Sequence, residues 1–401
     1  KVLMSKVSSI EPGGKFGMVQ TDRRLFVPPR VRIPYEDFSG PPAIPSVEIG
    51  TRVKVGETIA LPSSGGSLAI HSSVSGAVTG IGFFPHPLKG AAPAIEITSD
   101  QHDSKLPEIG VERRGWENFS EQEYLNFFRE SGLTDLVSCS SNPNAILRHA
   151  ERSEASQRLR FFGLRPQNDA GIPLHTKVFE YQGIHTLILN ACESDPYVTA
   201  DQALVMSHPL EILKGAEILR RVLGAERVLI AAESSKMEAV EILKSKIYSL
   251  KWKDFEVQTL PPEFPQDEAS LLLQRLRVEN KAAVFELATA FAVYEAIVLQ
   301  KPFYERAVTV SGECVVEPQN VWARVGADFE FLIKGVRGFL RQPGKIIAGG
   351  AMRGVAQEHL GVPVTGSTSA VLALAPEITK PASPQACIRC GECVEHCPVE
   401  I

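Results

Sequence analysis

The sequence predicts a multidomain α/β protein built from an N-terminal all-β sandwich, a doubly wound parallel α/β domain, a compact α+β module and a cysteine-rich terminal segment. Three observations predict it. Between residues 46 and 81, short β-branched runs are punctuated by Gly50, Gly56, Gly65, Gly66 and Gly76, the pattern of small hairpins. Between residues 186 and 260, apolar strands alternate with amphipathic helices, which means parallel strands joined by crossover helices. Near the end stands CIRCGECVEHCP, with Cys387, Cys390, Cys393 and Cys397 followed at once by Pro398.

Composition sets the class. At 401 residues, 44% hydrophobic and 22% charged, the chain is an ordinary globular one with room for two to four domains. A net charge of −5 argues against nucleic acid as a partner, which would want a basic face. The longest apolar stretch, residues 282–299, carries Glu286 and Glu295 and is expected to be one buried helix, not a membrane span. Of seven cysteines, Cys139, Cys192 and Cys314 are scattered, which suits a reducing compartment better than a disulfide framework. The chain opens on Lys1 and stops at Ile401, and it is expected to be a piece of something longer.

In chain order, strands are expected at 46–49, 52–55, 58–61, 69–71 and 77–81, within a domain over 1–98. VEIGTRVKVGETIA with the later SSVSGAV resembles the biotinyl/lipoyl barrel sandwich, whose central hairpin displays a modified lysine. Here that hairpin, 63–67, has no lysine, so the domain is expected to be structural. A polar link, 99–117, leads to a helix at 121–131 with Tyr124, Leu125, Phe127 and Phe128 on one face. The α/β domain spans 115–300 and is interrupted by about 138–169, an Arg-, Ser- and Asn-rich insertion without periodicity. That insertion is either a solvated loop or a set of arginines able to meet phosphate.

Strands are expected at 186–190, 227–232 and 255–260 and helices at 209–223 and 236–249, the first with Leu210, Leu213, Ile218 and Val222 inward. In such sheets ligands sit beyond the carboxyl ends of the strands, which directs attention to NACESDPYVT at 190–199. Its Glu193 and Asp195 are either a solvated turn or part of a site. Residues 305–376 change texture to short strands with one helical piece at 330–336, a β-grasp-like arrangement in which no polar cluster stands out. Gly349, Gly350 and Gly354 follow a strand outside any βαβ repeat and make no dinucleotide fingerprint.

The terminal quartet, in a segment over 380–401, is the strongest chemical signal. Three cysteines spaced by two residues and a fourth after three wrap an iron–sulfur cubane, whereas zinc favours two separated CxxC pairs. In two-cluster ferredoxins the fourth cysteine of such a run serves the other cluster. Cys397 therefore belongs either to this 4Fe–4S site or to one completed by a second quartet beyond Ile401.

Taken in order, these motifs resemble the RnfC family, a component of Rnf-type ion-translocating oxidoreductase complexes. The stretches are GPPAIPSVEIGTRVKVGETIA, LNACESDPYVTADQALV, AFAVYEAIVLQKPFYER, VTVSGE, PGKIIAGGAMRG and the cysteine run. The middle is similar to the flavin-binding subunit of respiratory complex I, and a related quinone-reductase subunit lacks the cysteines. The resemblance implies an α/β domain of the flavoprotein type, a β-grasp module of the SLBB sort and a ferredoxin-type segment. It further implies a translocase subunit, peripheral on the cytoplasmic side of the inner membrane. Its implied partners are the other complex subunits, NADH and a ferredoxin-type carrier; its implied cofactors are 4Fe–4S and flavin mononucleotide (FMN).

The family's glycine-rich flavin loop is split here. Gly132 and Leu133 match its start, and Ala170, Gly171, Ile172 and Pro173 its end, followed by Lys177. The acidic turn is carried by Asn190, Glu193, Asp195 and Pro196, with Cys192 replacing an acid of the complex I version. The family's asparagine pair falls at Phe285 and Glu286, neither an asparagine. FMN is therefore in doubt for this chain, which is then expected to work either through flavin or as a flavin-less wiring subunit carrying clusters. No side chain is expected to act as a catalytic acid or base, because in this chemistry the cofactor does that work.

Overall fold

In a computed structural model, residues 26–36, 42–63, 67–133, 183–278, 282–380 and 387–395 are described. The 138–169 insertion, Gly171, Pro173, Lys177 and Cys397 lie outside them.

The N-terminal part is two antiparallel sheets. Strands β1 (Arg30–Pro34), β2 (Ile44–Pro45), β3 (Arg52–Val53), β4 (Thr58–Leu61), β5 (Ile70–His71), β6 (Gly76–His86) and β7 (Gly90–Ser99) pair in the orders β1-β7-β6-β3 and β2-β4-β5. Their inward residues, among them Val31, Ile33, Ile59, Ile95 and Ile97, form one core. The expected strand at 46–49 is not formed; β2 ends at Pro45, and the last contact with β4 is Ser46 N–H donating to Ile59 O at 2.9 Å. The β6–β7 hairpin runs well past the expected 77–81.

Helix α1 (Glu121–Glu130) begins with a capping box, Ser120 with Glu123. It buries Tyr124, Leu125 and Phe128, while Phe127 is half-buried.

The central sheet is fully parallel. It consists of β8 (Thr186–Ala191), β9 (Arg227–Glu233), β10 (Phe255–Leu260) and β11 (Ala282–Glu286) in the order β10-β9-β8-β11. Helices α2 (Ala200–Ser207), α3 (Pro209–Leu223), α4 (Met237–Leu250), α5 (Ala269–Leu276) and α6 (Leu287–Ile297) cover it. Leu187 and Leu189 share a core with α3, α4 and α6, and Ile188 and Val284 share another with α5. The sheet is thus doubly wound. Of the expected inward residues of α3, Leu213, Ile218 and Val222 are buried and Leu210 is half-buried.

One expectation is overturned. Residues 282–299 are not a single helix but strand β11 followed by α6, with Glu286 at the junction. A strand buried on both faces of a parallel sheet reads as an unbroken apolar run, which periodicity cannot tell from a buried helix.

The third part is a mixed sheet of β12 (Glu305–Ser311), β13 (Gln319–Arg324), β14 (Lys345–Ala348), β15 (Val355–Gln357) and β16 (Ala370–Leu374), ordered β13-β12-β16-β14-β15. Helix α7 (Phe329–Gly335) packs on it through Phe329, Leu332 and Ile333. It joins the N-terminal sandwich directly, since Arg32 N–H donates to Gly326 O at 2.8 Å. The chain's last described element is one short turn, α8 (Glu392–Glu395).

Candidate functional site

The sheet order places β8 and β11 side by side where the winding reverses, and a ligand crevice is expected at that point. A cavity of about 100 Å³ lies there. The loop after β8 contributes Glu193 and Asp195, α2 contributes Asp201, the third module contributes Arg306 and Arg353, and the tip of the β6–β7 hairpin contributes Leu88.

Each predicted polar residue of the turn is already engaged. Asn190, 1% exposed, donates through Nδ2 to Asp267 O at 2.9 Å and to Glu286 Oε1 at 3.1 Å, and its Oδ1 accepts from Cys192 N–H. It ties β8 to β11 and to the loop before α5. Glu193 accepts from Asp201 N–H at 2.9 Å and Gln202 N–H at 3.3 Å, which caps α2 in place of Thr199. Lys236 Nζ meets the same carboxylate at 3.0 Å. Burial disfavours the charge on Lys236, but Glu193 and Glu233 outweigh it and raise its pKa.

Asp195, 8% exposed, is clasped by the third module. Its Oδ1 accepts from Met352 N–H at 2.8 Å and its Oδ2 from Arg353 Nε at 2.9 Å. Arg353 also binds Asp267, which in turn accepts from Ser194 Oγ. Burial would lower the Arg353 pKa, yet Asp267 and Asp195 reverse that and hold it well above its usual value. Gly350 is required here, because a Cβ would run into the Asp195 carboxylate.

Two groups in the cavity are perturbed in opposite senses. Burial, reinforced by Glu193, pushes the Asp201 carboxyl up to about 7. Burial lowers Arg306 to about 10, although Asp201 and Glu286 face it. Arg306 is 6% exposed and donates to Ala307 O at 3.3 Å and to Gly366 O.

The remaining predicted residues lie elsewhere. Gly132, at φ +68, closes the end of α1 against Ala69 O and His71, beside a separate small cavity next to Ile33 and Phe303. Phe285 is buried in the sheet core and Glu286 ends β11. Sequence reasoning found no polar cluster in the third module, yet Arg306 and Arg353 both come from it. The PGKIIAGGAMRG run held Arg353 without any signal that its partners lie 86 and 158 residues away.

The cysteine segment is a different kind of site. Cys387, Cys390 and Cys393 are exposed and free of disulfides. Arg389 N–H donates to Cys387 Sγ at 3.4 Å, the contact that stabilises a thiolate ligand. Arg389 at φ +57 and Gly391 at φ +82 both take the left-handed conformation and bend the chain; at Gly391 there is no Cβ to resist it. Among the described residues no three ligating side chains converge into a metal-binding group. The chemistry of the donor set, soft thiolates closely spaced in sequence with a backbone N–H on one sulfur, fits an iron–sulfur cluster.

The family described as RnfC barrel sandwich hybrid domain matches residues 20–102, and that described as Nuo51 FMN-binding domain matches 160–296. The C subunit of the proton-translocating ferredoxin:NAD(+) oxidoreductase complex of Clostridium ljungdahlii is 29% identical over 94% of this chain and 77% of its own length. The C subunit of the ion-translocating oxidoreductase complex of Pseudomonas aeruginosa is 30% identical over 93% of this chain, which spans only 45% of that protein. Among solved structures, an NAD+-reducing [NiFe]-hydrogenase is similar at a TM-score of 0.48 and 15% identity, over 64% of this chain and 47% of that one. Along most of its length, from barrel sandwich through parallel sheet, the chain is a homologue of the RnfC subunits of ion-translocating oxidoreductase complexes.

Proposed function

We propose that this chain is the peripheral electron-transfer subunit of a membrane-bound, ion-translocating oxidoreductase complex that works between NADH and a ferredoxin-type carrier. The observation that carries the proposal is the exposed cysteine segment, attached to a body that is homologous to subunits of ferredoxin:NAD(+) oxidoreductase complexes.

When bound, a 4Fe–4S cluster supplies one-electron oxidation and reduction. Cys387, Cys390 and Cys393 would hold it as thiolates, with Cys397 as the fourth ligand of this cluster or of a neighbouring one. Arg389 N–H, donating to Cys387 Sγ, stabilises the charge on that sulfur. Exposure of the segment lets a partner approach closely, which suits hand-over between proteins. No described helix is long and apolar enough to cross a membrane. In this reading the chain docks on the other subunits at the cytoplasmic face of the inner membrane.

Anaerobic reconstitution with iron and sulfide tests this. Broad cluster absorbance and an electron paramagnetic resonance signal after dithionite are expected, and Cys390→Ser is expected to reduce both to near background. Wild-type protein that takes up no iron would refute the proposal.

A further inference from the structure

We infer that this chain closes the carboxyl edge of its parallel sheet to flavin mononucleotide, with Arg353 as the latch, and that electrons pass through it one at a time by way of the cysteine segment. The inference rests on the electron-transfer role proposed above and runs against the match of residues 160–296 to an FMN-binding domain.

The described walls do not fit a flavin. The space left is about 100 Å³, whereas pockets that hold ligands of this size run from about 300 Å³ upward. It is bounded on two sides by other parts of the chain. Leu88 lines it from the β6–β7 hairpin, whose tip is fixed where Gln357 Nε2 donates to Pro87 O at 2.9 Å. The 349–354 loop enters from the third module, fixed by the contacts of Met352 N–H and Arg353 with Asp195.

Charge points the same way. Glu193, Asp195, Asp201, Asp267 and Glu286 line the cavity, and only Arg306 and Arg353 among the lining residues are cationic. Arg353 is divided between Asp195 and Asp267, and Arg306 commits Nε and Nη1 to backbone carbonyls. A phosphate dianion entering this space meets an excess of carboxylate charge in a low-dielectric setting, where such repulsion is strong.

The chemical consequence is specific. A hydride delivers two electrons and a proton nucleus together, and without a flavin the described residues offer nothing to divide them. The reductant must therefore be a one-electron donor, such as a reduced low-potential iron–sulfur protein, which loses one electron as the cluster gains one, with no bond made or broken. A reaction that splits hydride into single electrons must occur on another component of the complex.

The test uses the full chain, reconstituted with its cluster, titrated with FMN and followed by quenching of flavin fluorescence and by flavin retained on desalting. No saturable quenching and no retained flavin are expected. Stoichiometric retention would overturn the inference. The double variant Asp201→Asn/Glu286→Gln, which removes two of the lining carboxylates, is expected to show saturable quenching by FMN at concentrations where wild type shows none. Binding no better than wild type would overturn the assignment to carboxylate charge. NADH alone should leave the cluster oxidised while a reduced ferredoxin reduces it, and reduction by NADH alone would overturn the single-electron route. Failure of the cluster to form would count against the proposed function and leaves the flavin titration readable by itself.

Discussion

Asp201 sits at the second position of α2, where a helix N-terminus ordinarily welcomes a carboxylate. Burial and the neighbouring Glu193 outweigh that preference and raise its pKa from 3.8 to about 7. The sign of the stability effect follows. Between those two values the folded chain holds a proton that the unfolded chain has released, so stability falls as pH rises from about 4 to about 7. Asp201→Asn removes the penalty while keeping the shape. It is expected to raise the thermal midpoint at pH 8 by about 2–4 °C per kcal/mol relieved, with a gain that shrinks at pH 5. Scanning calorimetry of both proteins at the two pH values checks it, and an equal gain at both would exclude titration of Asp201 as the cause. Nothing in the run TADQAL marks this residue, because the charges that perturb it arrive from the turns after β8 and β9, from β12 and from the loop before α5.

At the scale of elements, α3 and α6 pack backbone against backbone in the central domain, and Gly215 permits it. A Cβ at Gly215 would run into Ala290 O of the facing helix, so the helices approach backbone to backbone. Gly215→Ala gains helix propensity but must push α6 away, and overpacking of this kind costs about 1–3 kcal/mol net. Urea unfolding should show the loss as a lower midpoint at unchanged slope. The alternation β8, α3, β9, α4, β10 was legible because each element has its own period and its own glycine or loop to end it. Strand β11 was not, since AAVFE carries no alternation and flows into α6 without a break. The N-terminal strands were legible only in part. Turn glycines locate hairpins, but the length of β6 and β7 is set by pairing along Gly76–His86 and Gly90–Ser99, which local sequence does not record.

Across the whole molecule, the three parts are joined by buried charge. Arg324 of the third module makes a two-toothed contact with Asp103 at 2.9 and 3.0 Å and reaches Glu305 at 3.3 Å. Glu305 in turn meets Lys301 at 2.9 Å, and Lys301 binds Glu295 of α6. Burial opposes the charge on Lys301, and Glu295 and Glu305 more than restore it. Buried ion pairs of this kind fix geometry more than they add stability. Here they tie α6, β12, β13 and the 99–117 link together, while separate contacts, Arg353 with Asp195 and Gln357 with Pro87, hold the 349–354 loop and the hairpin tip at the sheet edge. That convergence was invisible beforehand: its residues are scattered through the chain, and only folding makes them neighbours.

The bare cysteine segment also governs how the protein ages. Cys387, Cys390 and Cys393 stand in water, whereas Cys192 and Cys314 are enclosed and burial raises both of their thiol pKa values. Oxidants and alkylating reagents attack exposed thiolates first. Brief iodoacetamide treatment of cluster-free protein, read by peptide mass spectrometry, should label the terminal cysteines and spare the two buried ones, and a filled cluster should protect the terminal set. In air the cluster-free chain is therefore expected to lose its metal-binding capacity well before its fold, so that well-folded but chemically inactive protein accumulates in any preparation handled without exclusion of oxygen.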